Sequence, residues 1–323
     1  MSLILTLLRV VLLIAALACA GVAIAAQGGR FSGRLDVLTH LTPLWLIAGV
    51  LTALAAAALS PDRYRAAPLL AAIVTCTSAI LLMAPEFRPP KINPQIPPPP
   101  GPTLKVLQFN VWQDNTDPAA TLAWILAQDA DVVVLEESKH RSRSVLLGLY
   151  GAYPYRVTCT GTGPCSTMIL SKTPPLAFKG LQTRDVPDRR PIAAAWARFD
   201  DPAGPYTVVA LHLTWPMMPP GLQKLQLASL NATLDELPKD RMILAGDFNS
   251  TPWSFALRGM DRRSGLIRRT RALASWPATQ PFPVLPIDQV YAGAGWRTVS
   301  VTRGPKLGSD HYPVVVVLAP VSP

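Results

Sequence analysis

The sequence has few cysteines, few histidines and few charged residues. Of its 323 residues, 4 are cysteine and 4 are histidine, and no spacing among them suits a zinc site. Charged residues make up 15% of the chain and are sparse in its first 84 residues, while 50% of the chain is hydrophobic. The composition therefore excludes a zinc-centred site and indicates that the N-terminal region differs in kind from the rest.

Three apolar runs lie in the first 84 residues. Leu3 to Ala26 is almost uninterrupted, Leu44 to Leu59 is shorter, and Ala66 to Met83 contains no charge. The first and third are long enough to cross a bilayer, and the second is borderline. Since this region has too little polar surface to cover buried core helices, we expect residues 1–84 to form a membrane anchor with two or three transmembrane helices. A cleaved signal peptide is the alternative for the first run, although no Lys or Arg precedes its apolar part.

A proline-rich segment follows the anchor. It covers residues 85–102 and includes the run Pro97 to Pro100. Proline disrupts helices and sheets, so this segment is typical of a semi-rigid spacer between the anchor and a globular domain at 103–323. The alternative is a proline-rich ligand for a partner domain.

Two cysteines bear on the compartment of the globular domain. Cys159 and Cys165 flank a flexible loop that a small disulfide could close, and reduced loop thiols are the alternative. The positive charges that flank the three apolar runs are nearly balanced between the two sides of the membrane, so they do not decide the orientation. Because a disulfide requires an oxidising compartment, we expect a multi-pass protein of the bacterial inner membrane with its globular domain on the outer, periplasmic face.

Strands and helices alternate in the globular part. The pattern predicts strands at Leu104–Val111 and Asp131–Leu135, with a helix at Pro118–Gln128 between them. Asp117 followed by proline is a typical helix start. A second amphipathic helix is predicted at Leu222–Leu237. This alternation over about 220 residues favours a single α/β domain.

Polar side chains collect at the ends of the apolar, strand-like runs. Several strands can direct such groups to one point. Carboxylate and amide oxygens are the ligands that a hard divalent cation prefers, so the pattern predicts a magnesium site, with Mn²⁺ or Ca²⁺ as alternatives. The polar groups concerned are Asn110, Glu136, Glu137, His212, Asp247, Asn249, Asp288, Asp310 and His311.

These motifs, in this order and approximate spacing, resemble the endonuclease/exonuclease/phosphatase superfamily, whose fold is DNase I-like. The resemblance covers about Thr103 to Leu318 and rests on six ordered motifs. It implies a four-layer sandwich of two packed mixed β-sheets flanked by helices, and hydrolysis of phosphoester bonds. The motifs are Phe109-Asn110-Val111-Trp112, Leu135-Glu136-Glu137, Leu211-His212, Gly246-Asp247-Phe248-Asn249-Ser250, Ile287-Asp288 and Ser309-Asp310-His311.

The resemblance also implies roles. Glu137 is the expected metal ligand, because the family places the ligand after Leu-Gln, and Glu136 is then a substitution for that glutamine. Asp247 would orient or deprotonate water, His311 would lie beside the phosphate with Asp288 as its partner, and His212 would lie near the leaving group. The family's acidic partner for the second histidine is replaced here by Arg189 and Arg190. The expected set is His212, Asp247, Asn249, Asp288 and His311 for catalysis, Asn110, Glu137 and Asp310 for the metal, and Arg190 for the substrate phosphate.

The sequence thus predicts a membrane-tethered, magnesium-dependent phosphodiesterase, nuclease-like in activity and monomeric, with no protein partner evident. Its substrate would be nucleic acid or phospholipid. Six arginines between 258 and 271 suit the phosphates of nucleic acid or of anionic lipid headgroups; the basic residues favour nucleic acid, whereas tethering favours lipid. The alternatives are a lipid phosphodiesterase or phosphatase, sphingomyelinase-like or phosphoinositide-directed, and a membrane-anchored binding module without activity.

Overall fold

A computed structural model describes residues 3–87, 102–182, 192–217 and 221–321. The chain divides into two compact units. The first consists of Met1–Arg88 with Thr251–Arg258, and the second consists of Pro89–Ser250 with Gly259–Pro323. Most of the predicted proline-rich spacer lies outside the described residues, and its role as a spacer stays a prediction.

The first unit is helical. Between residues 3 and 87 it contains the α-helices α1 (Leu3–Gln27), α2 (Gly33–His40), α3 (Thr42–Leu59) and α4 (Ala66–Met83). Helices α1, α3 and α4 are long and apolar enough to cross a membrane. They meet through small residues, among them Ala16, Ala53 and Ala71, while many of their leucines and isoleucines are exposed. Small residues at helix contacts and large apolar residues outside are typical of transmembrane packing.

The second unit contains two six-stranded sheets. Each sheet contains one parallel pair of neighbouring strands, and its other neighbouring strands are antiparallel, so both sheets are mixed. The first sheet has the order β11 (Trp296–Arg303), β12 (Val314–Pro320), β1 (Leu104–Asn110), β2 (Val132–Glu136), β4 (Met168–Ser171) and β3 (Tyr155–Thr158). The second has the order β5 (Pro175–Gly180), β6 (Ala193–Phe199), β7 (Tyr206–His212), β8 (Met242–Asp247), β10 (Asp288–Ala292) and β9 (Ile267–Arg268).

Alternating side chains pack the two sheets face to face. Val106 and Val132 of the first sheet share one buried cluster with Val208 and Ile243 of the second. The opposite face of the first sheet packs on helices α5 (Pro118–Gln128) and α6 (Arg143–Leu149). Because strand side chains alternate between faces, β1 and β2 pack against the second sheet with one row of side chains and against α5 and α6 with the other. The predicted sandwich of two packed mixed sheets flanked by helices is confirmed.

Local signals account for the elements that the sequence predicted correctly. Helix α5 begins where Asp117 Oδ1 accepts a hydrogen bond from Ala120 N at 3.0 Å, and proline occupies its first turn. Helix α7 (Leu222–Glu236) also matches its prediction. Edge strand β5 was not predicted, because most of its residues are exposed and it has no apolar alternation.

Cys159 and Cys165 form a disulfide.

Candidate active site

The inner faces of both sheets change from apolar to polar at one end. In β1 the inner row runs from Val106 through Gln108 to Asn110, and in β8 it runs from Ile243 to Asp247. Hydrogen bonds join the two rows across the sandwich: Asn110 Nδ2 donates to Asp247 Oδ2 at 3.0 Å. The last inner residues of several strands therefore form one buried polar cluster between the sheets.

Strand register places three site residues of the second sheet side by side on adjacent strands. In parallel pairing, His212 of β7 lies opposite Asp247 of β8, and in antiparallel pairing Asp288 of β10 lies opposite the same Asp247. Within the first sheet, Asn110 of β1 lies opposite Glu136 of β2. The predicted residues of the second sheet thus come together because β7 and β8 end, and the antiparallel β10 begins, at the same level.

Asp247 is the centre of the cluster. Its side chain is 1% exposed, and its Oδ1 accepts from Asn249 N at 2.7 Å. Its Oδ2 lies 3.6 Å from His212 Nε2 and 3.7 Å from His311 Nε2. Burial raises the pKa of Asp247 to about 6, with Asp288 adding to the rise and the two histidines opposing it. The carboxylate can therefore accept a proton near neutral pH.

His311 and Asp288 form a buried pair. His311 Nδ1 lies 2.8 Å from Asp288 Oδ2, while Asp288 Oδ1 accepts from Gln108 Nε2 at 2.8 Å. Burial lowers the pKa of His311, but the carboxylates of Asp288 and Asp247 outweigh it and raise the pKa to about 10. The ring is therefore held as an imidazolium, with Nε2 turned towards Asp247. Ser309 Oγ fixes this turn by accepting from His311 N and donating to Asn110 O.

His212 and Asn249 lie together beside Asp247. Asn249 Nδ2 donates to Leu213 O at 2.8 Å and lies 3.2 Å from His212 Nε2. Asn249 has a φ of +48°, a left-handed conformation that Asn tolerates better than most residues. His212 is 21% exposed, in contrast to the buried His311, so it lies on the solvent side of the cluster.

The predicted metal residues lie at the more open edge. Glu137 and Asp310 are each 24% exposed, and Glu137 Oε1 accepts from Asn110 Nδ2 at 3.2 Å. Asp310 Oδ2 accepts from Trp276 Nε1 at 3.3 Å, whereas its buried Oδ1 has no hydrogen-bond partner among the described residues. Burial raises the pKa of Asp310. Two carboxylates with spare acceptor capacity fit a hard divalent cation.

Asn110 presents its amide nitrogen to this site. Its Oδ1 accepts from Trp112 N at 3.0 Å, while its Nδ2 faces both Glu137 and Asp247. In this arrangement Asn110 orients the two carboxylates, and a ligand role for its oxygen stays a prediction. A second group that could hold a metal consists of Asp247, Asp288 and His311, whose ligand atoms lie within 4.8 Å of one another. Here the two ring nitrogens of His311 already face the carboxylates of Asp288 and Asp247.

Three residues of the cluster lack a role in the sequence prediction. Gln108 Nε2 donates to both Glu136 Oε2 and Asp288 Oδ1. Glu136 is fully buried, and burial together with Asp288 and Asp247 raises its pKa well above the ordinary value. Alternation along β1 and β2 could have placed Gln108 and Glu136 on the inner face. No sequence signal indicated that Trp276 donates to Asp310.

The arginine-rich stretch is largely used inside the fold. Arg268 is buried and pairs with Asp261, and Arg269 donates to the carbonyls of Gly293 and Trp296. Arg263 forms an exposed ion pair with Asp235. This stretch therefore does not offer six arginines to a polyanion. Arg190, predicted to contact the substrate phosphate, lies outside the described residues.

Comparisons with known proteins agree with the fold. The model of the Endonuclease/Exonuclease/phosphatase family matches residues 107–311. The chain belongs to this family. A comparison with characterised protein sequences gave no match.

Solved structures with the same fold include three bacterial proteins. Sphingomyelinase C from Streptomyces griseocarneus is 20% identical, with a TM-score of 0.50, 67% of this chain and 99% of that chain covered. Beta toxin from Staphylococcus aureus with bound magnesium ions is 13% identical, with a TM-score of 0.52 and coverages of 67% and 99%. An endonuclease/exonuclease/phosphatase family protein from Bacteroides thetaiotaomicron is 15% identical, with a TM-score of 0.54 and coverages of 69% and 98%. At these identities the likeness establishes the fold.

Proposed function

We propose that this chain is a membrane-tethered, Mg²⁺-dependent phosphodiesterase. Family membership supports phosphoester hydrolysis in general. The observation that carries the finer proposal is the buried Asp247 carboxylate, which lies between Asn110, His212 and His311, with Asp288 paired to His311. This set contains a base and two imidazoles around one point, as hydrolysis of a phosphodiester requires.

Glu137 and Asp310, oriented by Asn110 and Trp276, are the residues that would hold the metal. The magnesium ions bound in the structure of beta toxin, which shares this fold, support that choice of ion. When bound, Mg²⁺ would neutralise charge on the phosphate oxygens and so favour attack by a nucleophile.

Proton transfers can be assigned to groups of this chain. Asp247, with its pKa raised to about 6, takes the proton of the attacking water. The His311 imidazolium donates a hydrogen bond to a phosphate oxygen as negative charge develops there, and Asn249 Nδ2 donates a second hydrogen bond. As the bond between phosphorus and the leaving oxygen breaks, His212 donates a proton to that oxygen. His212 suits this step because it lies on the exposed side of the cluster.

A phospholipid headgroup is the second candidate for the substrate, beside the nuclease-like activity expected from the sequence. Three helices are long and apolar enough to cross a membrane, which favours a substrate present in the bilayer. Arg268 and Arg269 are used within the fold, which weakens the argument for a nucleic-acid surface. The fold shared with sphingomyelinase C is compatible with a lipid substrate.

The proposal is tested with the full-length protein purified in detergent. Turnover of bis(4-nitrophenyl) phosphate, plasmid DNA and sphingomyelin is measured with Mg²⁺ and with EDTA. We expect Mg²⁺-dependent release of 4-nitrophenol, and a loss of kcat by roughly 10²- to 10⁴-fold in Asp247→Asn and His311→Gln.

Two exposed residues provide matched controls. Glu236→Gln and His140→Gln replace a carboxylate and an imidazole by an amide at exposed positions and should keep full activity. Absence of turnover with all three substrates, or turnover that survives in both Asp247→Asn and His311→Gln, would contradict the proposal. Preference for sphingomyelin over DNA would select the lipid candidate.

A further inference from the structure

A short segment that directly follows the catalytic strand belongs to the helical first unit. Asp247 and Asn249 lie at the end of β8, and the chain passes from the second unit to the first at the bond between Ser250 and Thr251. The segment Thr251–Arg258, here named the clasp segment, packs within the first unit. Only one residue separates Asn249 from this segment.

Helix α2 holds the start of the clasp segment through His40 and Thr39. His40 Nδ1 accepts a hydrogen bond from Thr251 N at 3.1 Å and lies 3.0 Å from Thr251 Oγ1. Trp253, which is 1% exposed, donates from Nε1 to Thr39 O at 2.7 Å. Burial lowers the pKa of His40 to about 4, so its ring is neutral at physiological pH and can act as the acceptor.

Asp36 of the same helix caps the start of α8 (Phe255–Ser264). Its Oδ1 accepts from Phe255 N and its Oδ2 from Ala256 N, each at 2.8 Å. Amides at a helix start lack partners within the helix, and a carboxylate satisfies them well. The packing is close, since a Cβ added at Gly29 would lie 2.7 Å from the Phe255 ring. Hydrogen bonds from α2 therefore hold the clasp segment at its first residue, Thr251, and again at Phe255 and Ala256.

We propose that Asp36 and His40 are positioning residues that hold the clasp segment and thereby set the geometry of Asp247 and Asn249. The inference rests on the proposed function. Asn249 adopts a left-handed conformation and bonds to Asp247 through its own amide, so a shift of the next residues would move both groups. Displacements of about 1 Å in such groups reduce rates by roughly 10²-fold. The first unit would then position catalytic residues of the second unit in addition to tethering the enzyme to the membrane.

The test uses the full chain in detergent with Mg²⁺ and bis(4-nitrophenyl) phosphate. His40→Ala removes the acceptor for Thr251, His40→Asn restores an oxygen near the position of Nδ1, and Asp36→Asn removes one of the two capping acceptors. Ser78→Ala is the control, because the Ser78 hydroxyl accepts a hydrogen bond from Gln27 and donates one to Ala23 O, both in α1 of the same unit and outside the clasp segment. Amide hydrogen exchange of peptides covering residues 247–257 provides a readout that does not depend on turnover.

We expect His40→Ala and Asp36→Asn to lower kcat at least tenfold with KM changed less than twofold, and to speed exchange at residues 247–250. His40→Asn should recover most of kcat, and Ser78→Ala should resemble the wild type. Unchanged kcat and unchanged exchange at 247–250 in both variants would overturn the positioning role. A wild-type protein without turnover would instead contradict the proposed function, and the exchange data would still decide the role of α2.

Discussion

Two adjacent glutamates end the β2 region in different environments. Glu136 is fully buried beside Gln108, and burial raises its pKa well above the ordinary value, with Asp288 and Asp247 adding to the rise. Glu137 is partly exposed and has a φ of +56°, a conformation that a glutamate adopts at some cost. A side chain kept in a strained backbone at the open edge of a polar cluster is typical of a functional residue.

Replacing each glutamate by glutamine separates these roles. Glu137→Gln should lower kcat by roughly 100-fold or more and raise the Mg²⁺ concentration needed for half-maximal activity, because it removes a charge that we propose binds the metal. Glu136→Gln should stay within a few-fold of wild type, since burial already disfavours a charge at this position and the amide keeps the size of the side chain. Magnesium titrations of both variants check this, and the reverse order of effects would assign the metal to Glu136.

His40 makes stability depend on pH. Its pKa falls from 6.5 to about 4 on folding, so the folded state resists protonation and stability is lost as pH falls below 6.5. The loss at pH 5 is about 2 kcal/mol, from 1.36 kcal/mol per pKa unit. Thermal unfolding in detergent at pH 7.5 and pH 5 should show a larger drop for wild type than for His40→Asn. The nearby Asp36 has a raised pKa and opposes this trend equally in both proteins.

At the level of elements, the pairing of β7 with β8 places His212 opposite Asp247. Gly246 allows this close pairing, because a Cβ there would lie 1.9 Å from Leu211 O and its φ is +154°. No other residue type fits this position without moving one strand away from the other.

Gly246→Ala should therefore destabilise the second unit by at least about 3 kcal/mol and reduce activity with it. Gly259→Ala is the matched control, since Gly259 lies inside α8 with no atom within 4 Å of an added Cβ. That substitution should be neutral or stabilising by roughly 0.5–1 kcal/mol. Denaturant unfolding of the two variants compares them, and equal stabilities would refute the role of Gly246 in the register.

At the scale of the whole molecule, the disulfide links stability to compartment. Cys159 and Cys165 close a short loop with a sequence separation of 6. Such a disulfide persists in an oxidising compartment, which supports the expected periplasmic location, while orientation in the membrane stays a prediction.

Reduction of this disulfide should lower the melting temperature. Loss of loop constraint costs about 2 kcal/mol, which corresponds to roughly 4–8 °C for a domain of this size. Melting curves with and without dithiothreitol measure the shift. A variant with Cys159 and Cys165 both replaced by serine should melt at the lower temperature in either buffer, whereas Cys19→Ala with Cys76→Ala should keep the sensitivity of wild type. An unchanged melting temperature on reduction would contradict the stabilising role.

Local patterns determined much of this protein. Apolar runs predicted the helices that are long enough to cross a membrane, and Asp117 with Pro118 predicted the start of α5. Ordered motifs at strand ends predicted the family and brought together His212, Asp247, Asn249, Asp288 and His311. These features depend on hydrophobic periodicity and on residues within a few positions of one another, which a sequence displays directly.

Long-range contacts decided the rest. The role of Gln108 and Glu136, the bond from Trp276 to Asp310, and the internal use of Arg268 depend on partners up to 180 residues away in sequence, as for Gln108 and Asp288. The hydrogen bonds from the clasp segment to Asp36 and His40 join residues 211 to 220 positions apart. Hydrogen bonds of buried groups form wherever the packed chain supplies a partner, and no local pattern specifies that partner.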